Sequence, residues 1–487
     1  MSLKDKYLIT VGLEVHTELR TKTKLFCGCA NQFGAEPNTN ICPVCLGLPG
    51  SLPVVNRKAV EYAMRIGTAL NCEIKHSVFH RKNYFYPDMP KDYQVTQYDE
   101  PTCINGYIEL PITGKIVNIV RAHIEEDTGK STHIGTSGRI TGADYSLVDY
   151  NRSGIPLVEI VSAPDMVSGE EAREYVSELR SILVATGATD GKMEEGSLRV
   201  DANVSVRQVG TDELGTRCEI KNLNSLRSLV RAITYEARRQ MEIVEEGGKV
   251  TQETRHWNED LGRTSSLRSK EEAYDYRYFP EPDLSPLDPT TEEIEAIKAN
   301  LGTLPPKRRA TLVELIGGTP TKSEIEQIQT AINFGLDELI LAGIDRKVPA
   351  KLSLARCANE VAGLITNLDS SYVVPSHKIL EVLVKESIGE LTPTQSKTVL
   401  ARVVEDGGVD VSALIAELGF VAASSGEMDQ LVDEIISESP SEWERYVSGE
   451  DQLAGFFIGK AMKKSGGKAN GKLVSKSLND RRSQLQG

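Results

Sequence analysis

The sequence predicts an α+β protein of several domains, and three observations predict it. Up to about residue 285, short apolar strand-like runs alternate with Gly, Pro and Asn turns and a few amphipathic helices. The segment PEPDLSPLDPTTEEIEAIKANLGTLPP, residues 280–306, then breaks this pattern with prolines and turn residues, as a linker does. Beyond it the apolar spacing is helical, interrupted once more at Glu405-Asp-Gly-Gly-Val. The breaks divide the chain into a mixed-sheet domain (1–289), an all-helical domain (290–403) and a small helical tail (404–487). At 487 residues the chain exceeds what one hydrophobic core serves.

Two helices of the first domain are readable. Ser168 can cap one through Ala172, Tyr175, Val176, Leu179, Ile182 and Leu183, spaced at three and four, with Gly187 ending it. Asn224 can start another through Leu226, Leu229, Val230 and Ile233, ending near Gly247-Gly248.

Hydrophobic and charged contents of 39% and 26% belong to ordinary globular domains rather than disordered chains. No run of about 18 apolar residues occurs, and the N-terminus has no apolar core before a cleavage site, so a cytoplasmic protein is expected. A net charge of -14 excludes a surface that is basic throughout. The end is different: from Gly459 onward stand Lys460, Lys463, Lys464, Lys468, Lys472, Lys476, Arg481 and Arg482, with Asp480 the only acid. Such a tail can hold phosphates, although lysine-rich ends are also common as solvated surface.

Four of the eight cysteines lie together as Cys27-Gly-Cys29 and Cys42-Pro-Val-Cys45. Two close thiol pairs joined by a short loop can wrap one tetrahedral ion, and four thiolates predict a structural zinc site with no position open to substrate. The alternative of two disulfides does not suit a cytoplasmic chain.

Several strands carry a chemical face. Ile9, Val11, Leu13 and Val15 alternate with Thr10, Gly12, Glu14 and His16, so Glu14 and His16 project side by side. In the run from Leu198 to Arg207, apolar residues alternate with Arg199, Asp201, Asn203, Ser205 and Arg207, a polar floor facing a ligand or solvent. Glu159 interrupts Ile155-Pro-Leu-Val-Glu-Ile-Val161, a central-strand pattern in which an ionised carboxylate needs a metal or an ion pair, with Arg152 or Arg199 as candidate partners. In Arg121-Ala-His-Ile-Glu-Glu-Asp127, alternation sets Arg121, His123 and Glu125 on one face, with Glu126 opposite unless the strand ends or bulges; the sequence leaves the choice between Glu125 and Glu126 open. Carboxylates converging with cations are the composition of a Mg-nucleotide site. One phosphate motif is dismissed: Gly466 to Lys472 has P-loop spacing, but Leu473 replaces the Mg-binding hydroxyl and a helix, not a strand, precedes it.

These motifs together resemble one family, the GatB subunits of the aspartyl/glutamyl-tRNA(Asn/Gln) amidotransferase. The matching segments are VGLEVHTEL from Val11, FGAEPNTN from Phe33, PGSLPVVN from Pro49, RKNYFYPDMPKDYQVTQYD from Arg81, HIEEDTGKSTH from His123, YSLVDYNRSGIPLVEIVSAPD from Tyr145, KMEEGSLRVDANVSVR from Lys192, EIKNLNS from Glu219, DYRYFPEPDL from Asp275 and GFFIGKAMKKSGGKANGKLV from Gly455. The resemblance implies a glutamine synthetase-like cradle, a helical domain and a tRNA-contacting tail, in which Lys463, Lys464, Lys468 and Lys472 are the candidate contacts. It implies ATP-dependent conversion of the side-chain carboxylate of misacylated Glu-tRNA(Gln) or Asp-tRNA(Asn) to an amide through an acyl phosphate. Glu14, His16, Glu125, Glu126 and Glu159 are the implied catalytic residues, with His16, Glu126 and Glu159 for Mg²⁺. Lys82, Asn151, Arg152, Arg199 and Asp201 are implied to hold phosphate or the aminoacyl end, and Cys27, Cys29, Cys42 and Cys45 to hold zinc. The chain offers no glutaminase nucleophile with its base, so ammonia is expected from an amidase-type partner (GatA), joined by a small linking subunit (GatC) in a heterotrimer. The tail carries Gly471 where the family commonly has proline. The rival expectation is a zinc-containing tRNA-binding subunit without chemistry of its own.

Overall fold

The computed structural model describes residues 3–135, 142–193, 195–269, 276–366, 368, 372–420, 425–465 and 471–486. The chain forms two compact units, Met1–Lys307 and Arg308–Gly487. In the first, fourteen strands follow in order among the described residues: β1 (Tyr7–Glu18), β2 (Glu73–Ile74), β3 (His80–Asn83), β4 (Tyr93–Thr96), β5 (Cys103–Glu109), β6 (Ile116–Glu126), β7 (Lys130–Gly135), β8 (Ala143–Asp149), β9 (Pro156–Ser162), β10 (Leu198–Gln208), β11 (Cys218–Leu223), β12 (Glu253–Asn258), β13 (Arg263–Ser269) and β14 (Phe279–Pro280). Nine of them make one mixed sheet in the order β13-β12-β11-β10-β1-β9-β6-β5-β2, β14-β3-β4 make a small second sheet, and β7-β8 a hairpin. Among the described residues the β11–β12 pair of the large sheet is parallel and the other pairs are antiparallel.

After the short α1 (Leu3–Lys6), the helices α2 (Arg57–Ala69), α3 (Gly169–Ala185) and α4 (Leu226–Glu245) pack on one face of the large sheet. That face is the apolar half of each alternating strand: Val11, Leu13 and Val15 of β1, Val158 and Ile160 of β9 and Val200, Ala202 and Val204 of β10 are all buried against helix residues such as Tyr175, Leu179 and Ile233. Ser168 caps α3, accepting from the Glu171 amide at 3.1 Å, and Gly187 beyond its end has φ +72°. α4 starts one residue later than the sequence suggests: Ser225, with extended backbone, accepts from the Ser228 amide at 3.0 Å, while the Asn224 side-chain amide turns to Asn222 at 3.3 Å.

The segment 280–306, read as a linker, itself contains a helix, α5 (Thr291–Ala299), which packs on α2 and belongs to the first unit. Leu301 and Leu304 follow it into that unit's core, which extends the unit beyond residue 289. The second unit is helical, with α6 (Pro305–Ile316), α7 (Lys322–Asn333), α8 (Asp337–Asp345), α9 (Ala350–Ala355), a π-helical turn (Arg356–Val361), α10 (Ala362–Ile365), α11 (Ser376–Ser387), α12 (Pro393–Glu405), α13 (Val411–Glu417), α14 (Ser425–Ser437), α15 (Pro440–Val447), α16 (Leu453–Lys464) and α17 (Gly471–Gln486). It has two separate cores, one from Leu312 to Leu414 and one from Met428 to Leu478. No helix among the described residues is long and apolar enough to cross a membrane. The P-loop-like residues 466–470, with Lys468, lie outside the described residues.

Leu13, 1% exposed at the middle of β1, tests this layering. Leu13→Ala is expected to destabilise the first unit by about 2–5 kcal/mol. Denaturant unfolding followed by Trp257, which lies in that core, measures it once Trp443 of the tail is replaced by Phe. A loss below about 1 kcal/mol would contradict a helix-covered sheet centre.

Candidate active site

The face of the sheet opposite the helices carries the polar half of the same alternation. Because β1 lies between β10 and β9, residues in register form rows across strands: His16 pairs with Arg199 on one side and Glu159 on the other, and Glu159 pairs with His123. A second row joins Asp201, Glu14, Val161 and Arg121. On β6 the register shifts between Ile119 and Arg121. This bulge moves the core-facing positions from Val117 and Ile119 to Ala122 and Ile124, and so aims Arg121, His123 and Glu125 at the polar face.

There His16 Nδ1 lies 3.0 Å from Glu125 Oε1 and 4.0 Å from Glu159 Oε2. His123 Nε2 and an Arg121 guanidinium nitrogen each lie 3.8 Å from Glu159. The imidazole and the two carboxylates present ligand atoms within 4.8 Å of one another, a set that could hold one cation. Burial would lower the His16 pKa, but the bond to Glu125 and the surrounding acids raise it to about 9. Burial raises that of Glu159, and Glu125 adds to the effect; burial pushes His123 down to about 4 despite Glu125. The His123 Nδ1 is buried without a hydrogen-bond partner among the described residues. A metal bound to these donors would take the place of the His16 proton.

Glu14 sits beside the cluster, accepting from Asn203 at 2.9 Å, and its pKa is raised by burial and then by Glu159 and Glu219. Asp201 is bound by Lys221 at 2.6 Å, and Lys221 also reaches Glu219 at 2.9 Å. Lys82, on β3, is held charged against burial by Glu125, Tyr278, Tyr276 and Glu159. Arg199 and Arg152 both grip Asp127, at 2.8 and 3.3 Å. Next to them Glu18, two positions beyond His16 on the same face, has its pKa pushed up to about 7 by burial and Asp127.

Two expected residues stand elsewhere. Glu126 follows Ala122 and Ile124 onto the other face, where it accepts from Lys91 and from the Val95 amide at 2.8 Å; Glu125, not Glu126, joins His16 and Glu159. Asn151 has both ends of its amide committed to the 35–40 loop, accepting from the Asn40 amide at 2.8 Å and donating to the Glu36 carbonyl at 2.6 Å. Sequence patterns do not single out Asp127, Lys221, Glu219, Glu18 or Lys91 as parts of these clusters. The signal available for Glu18 is its place on the Glu14–His16 face; the others depend on pairings between distant segments.

The four cysteines Cys27, Cys29, Cys42 and Cys45 bring their sulfurs within 4.8 Å of one another. All are free thiols, and the donor set fits a structural zinc ion. In the tail, much of the basic charge is neutralised internally. Lys464 pairs with Glu434 at 2.6 Å, Lys460 with Glu438 at 3.1 Å, Arg481 with Asp429 at 3.0 Å and Arg482 with Asp451 at 2.6 Å. Lys463 and Lys476 are exposed and enter no ion pair among the described residues, and only the backbone of Lys472 is described.

The chain matches the GatB/GatE catalytic domain family over residues 9–295 and the GatB domain family over residues 336–481. It is 44% identical to the GatB-type subunit of the aspartyl/glutamyl-tRNA(Asn/Gln) amidotransferase of Carboxydothermus hydrogenoformans, covering 99% of this chain and 100% of that one. It is 44% identical to the same subunit of a Thermoanaerobacter species, covering 98% and 99%, and 45% identical to that of Frankia casuarinae, covering 98% and 96%. Matches of this extent, spanning both the sheet that carries the acidic cluster and the helical unit, show that the chain belongs to the GatB family of aspartyl/glutamyl-tRNA(Asn/Gln) amidotransferase subunits.

Proposed function

We propose that this chain activates the side-chain carboxylate of a misacylated glutamyl- or aspartyl-tRNA with ATP and directs its amidation. The observation that carries the reading is the cluster of His16, Glu125 and Glu159, one imidazole and two carboxylates on a buried polar face with Lys82 beside them. A carboxylate is a poor electrophile because its oxygen leaves badly. Transfer of the γ-phosphoryl group of ATP to that oxygen, releasing ADP, makes an acyl phosphate. Ammonia then adds to the carbonyl carbon, phosphate departs with the C–O electron pair, and the nitrogen loses a proton to give the amide.

In this reading His16, Glu125 and Glu159 would hold Mg²⁺, and Glu14 lies beside that cluster. The ion supplies neutralisation of phosphoryl charge. Lys82 stabilises charge on the transferred group, and Arg199 and Arg152, oriented by Asp127, receive the substrate carboxylate or phosphate. The chain works in the cytoplasm with an amidase-type partner that releases ammonia from glutamine and a small linking subunit. The helical tail from about residue 404 contacts tRNA, and zinc at the four cysteines is structural.

Glu159→Gln is expected to lower ATP-dependent amidation by the assembled enzyme at least about 10²-fold while tRNA affinity stays within about twofold. Turnover of misacylated tRNA with ATP and ammonia, beside filter binding, reads both; retained turnover would refute the site, and loss of binding alone would favour a tRNA-binding role without chemistry. Metal analysis should find about one zinc per chain in protein purified without chelator, and Cys42→Ser with Cys45→Ser should remove it and lower the melting temperature. Zinc retained by that double variant would rule out the site. For the tail, Lys463→Ala with Lys476→Ala should weaken tRNA binding and reduce the slope of log affinity against log salt by about 1–2. An unchanged slope would take both lysines off the RNA.

A further inference from the structure

Beside the acidic cluster, a column of aromatic rings leads from the active face to solvent. Phe279 of β14 pairs with Arg81 of β3, and His80 of β3 pairs with Thr96 of β4. Period-two alternation then puts Tyr278, Lys82, His80 and Tyr98 on one face of this small sheet. The Tyr278 and Tyr98 rings stack in parallel, with centroids 4.0 Å apart and planes 6° apart. Tyr276 meets the edge of Tyr278 at 6.0 Å, and its ring lies 4.8 Å from the Lys82 ammonium. At the other end His80, itself 6% exposed, packs at 73° against Tyr98, yet Tyr98 remains 55% exposed.

The column is held rigidly from below. Arg81, on the opposite face of β3, makes two bonds to Glu281 at 2.6 and 2.8 Å and lies 4.4 Å over the Tyr93 ring. The Asn83 side chain binds the carbonyls of Tyr276 and Arg277 at 2.8 and 2.9 Å. A tyrosine whose outer ring area stays wet, on a fixed stack whose inner end touches the electrostatic field of Lys82, Glu125 and Glu159, has the form of a base-stacking platform.

We propose that Tyr98, backed by Tyr278, stacks an unpaired adenine, so that the attached ribose and its substituent run along the column toward Lys82 and the acidic cluster. This rests on the reading that the cluster activates an aminoacyl-tRNA with ATP. That chemistry brings two adenosines to the site, one in ATP and one at the 3′ end of the tRNA, and the platform suits the ring they share. Stacking reads the π-face and not the hydroxyl, so the ring is what matters at Tyr98.

The test uses the assembled amidotransferase. Tyr98→Ala is expected to raise the KM and the Kd of one adenosine-bearing substrate about tenfold, with kcat within about twofold, and Tyr98→Phe to restore both. A rise confined to ATP assigns the platform to the nucleotide, and a rise confined to aminoacyl-tRNA assigns it to the 3′-terminal nucleoside. The proposal is overturned if both Kd values stay within about twofold, or if Tyr98→Phe is as impaired as Tyr98→Ala. Equilibrium binding keeps the two claims apart. Absence of ATP-dependent turnover in the unmodified complex would count against the activation chemistry, while the Kd values for ATP and tRNA would still decide the stack.

Discussion

The structure depends on one constraint: β1 is hydrogen-bonded on both sides, and its side chains must alternate between a helix-packed face and a polar one. Val11, Leu13 and Val15 satisfy the first face at exposures of 0–1%, and the register with β10 and β9 then leaves Glu14 and His16 no place but the second. Because each pairing is fixed by apolar packing on the far side, a slip of one residue would bury Glu14 and His16 under α3 and α4 and expose the valines. The chemical face is in this sense enforced by the core beneath it. Its precision comes from backbone register rather than from loops.

Charge is the second condition on that face. Placing Glu125 and Glu159 on a covered sheet costs solvation, and the cluster offsets this by sharing a proton-bearing His16 and by the nearby cations Arg121 and Lys82. Asp127 plays the complementary part on the basic side, since two guanidiniums meeting at one carboxylate are fixed in position.

What is legible in the sequence follows from the range of each interaction. Strict alternation shows Glu14 with His16 and Arg199 with Asp201, because period two is a local property of a strand. The same rule places Glu125 with Arg121 and His123, but it does not exclude a bulge. A bulge does occur, only it falls before Arg121, where Val120 is 48% exposed, instead of at the two glutamates. Asn151 is ambiguous because a polar side chain after a strand looks alike whether it binds a ligand or a loop 111 residues away. Lys91 with Glu126, and Lys221 with Asp201, are pairings between distant segments, and no local pattern encodes them. The tail shows the same limit, since a run of lysines does not disclose that Glu434 of α14 and Glu438 just beyond its end face it.

The cysteine cluster and the active face are mechanically continuous, although they lie on different elements. The loop between the two cysteine pairs carries Asn38 and Asn40, which exchange hydrogen bonds with Asp149, Tyr150 and Asn151 at 2.8–3.0 Å. The next residue, Arg152, donates to the Thr128 and Gly129 carbonyls and reaches Asp127, which in turn holds Arg199. An ion tying Cys27 and Cys29 to Cys42 and Cys45 removes conformational freedom from the loop, and every link onward is a short, directional contact. Losing the ion would therefore loosen the two guanidiniums before it disturbed His16 or Glu159, which are secured by sheet register.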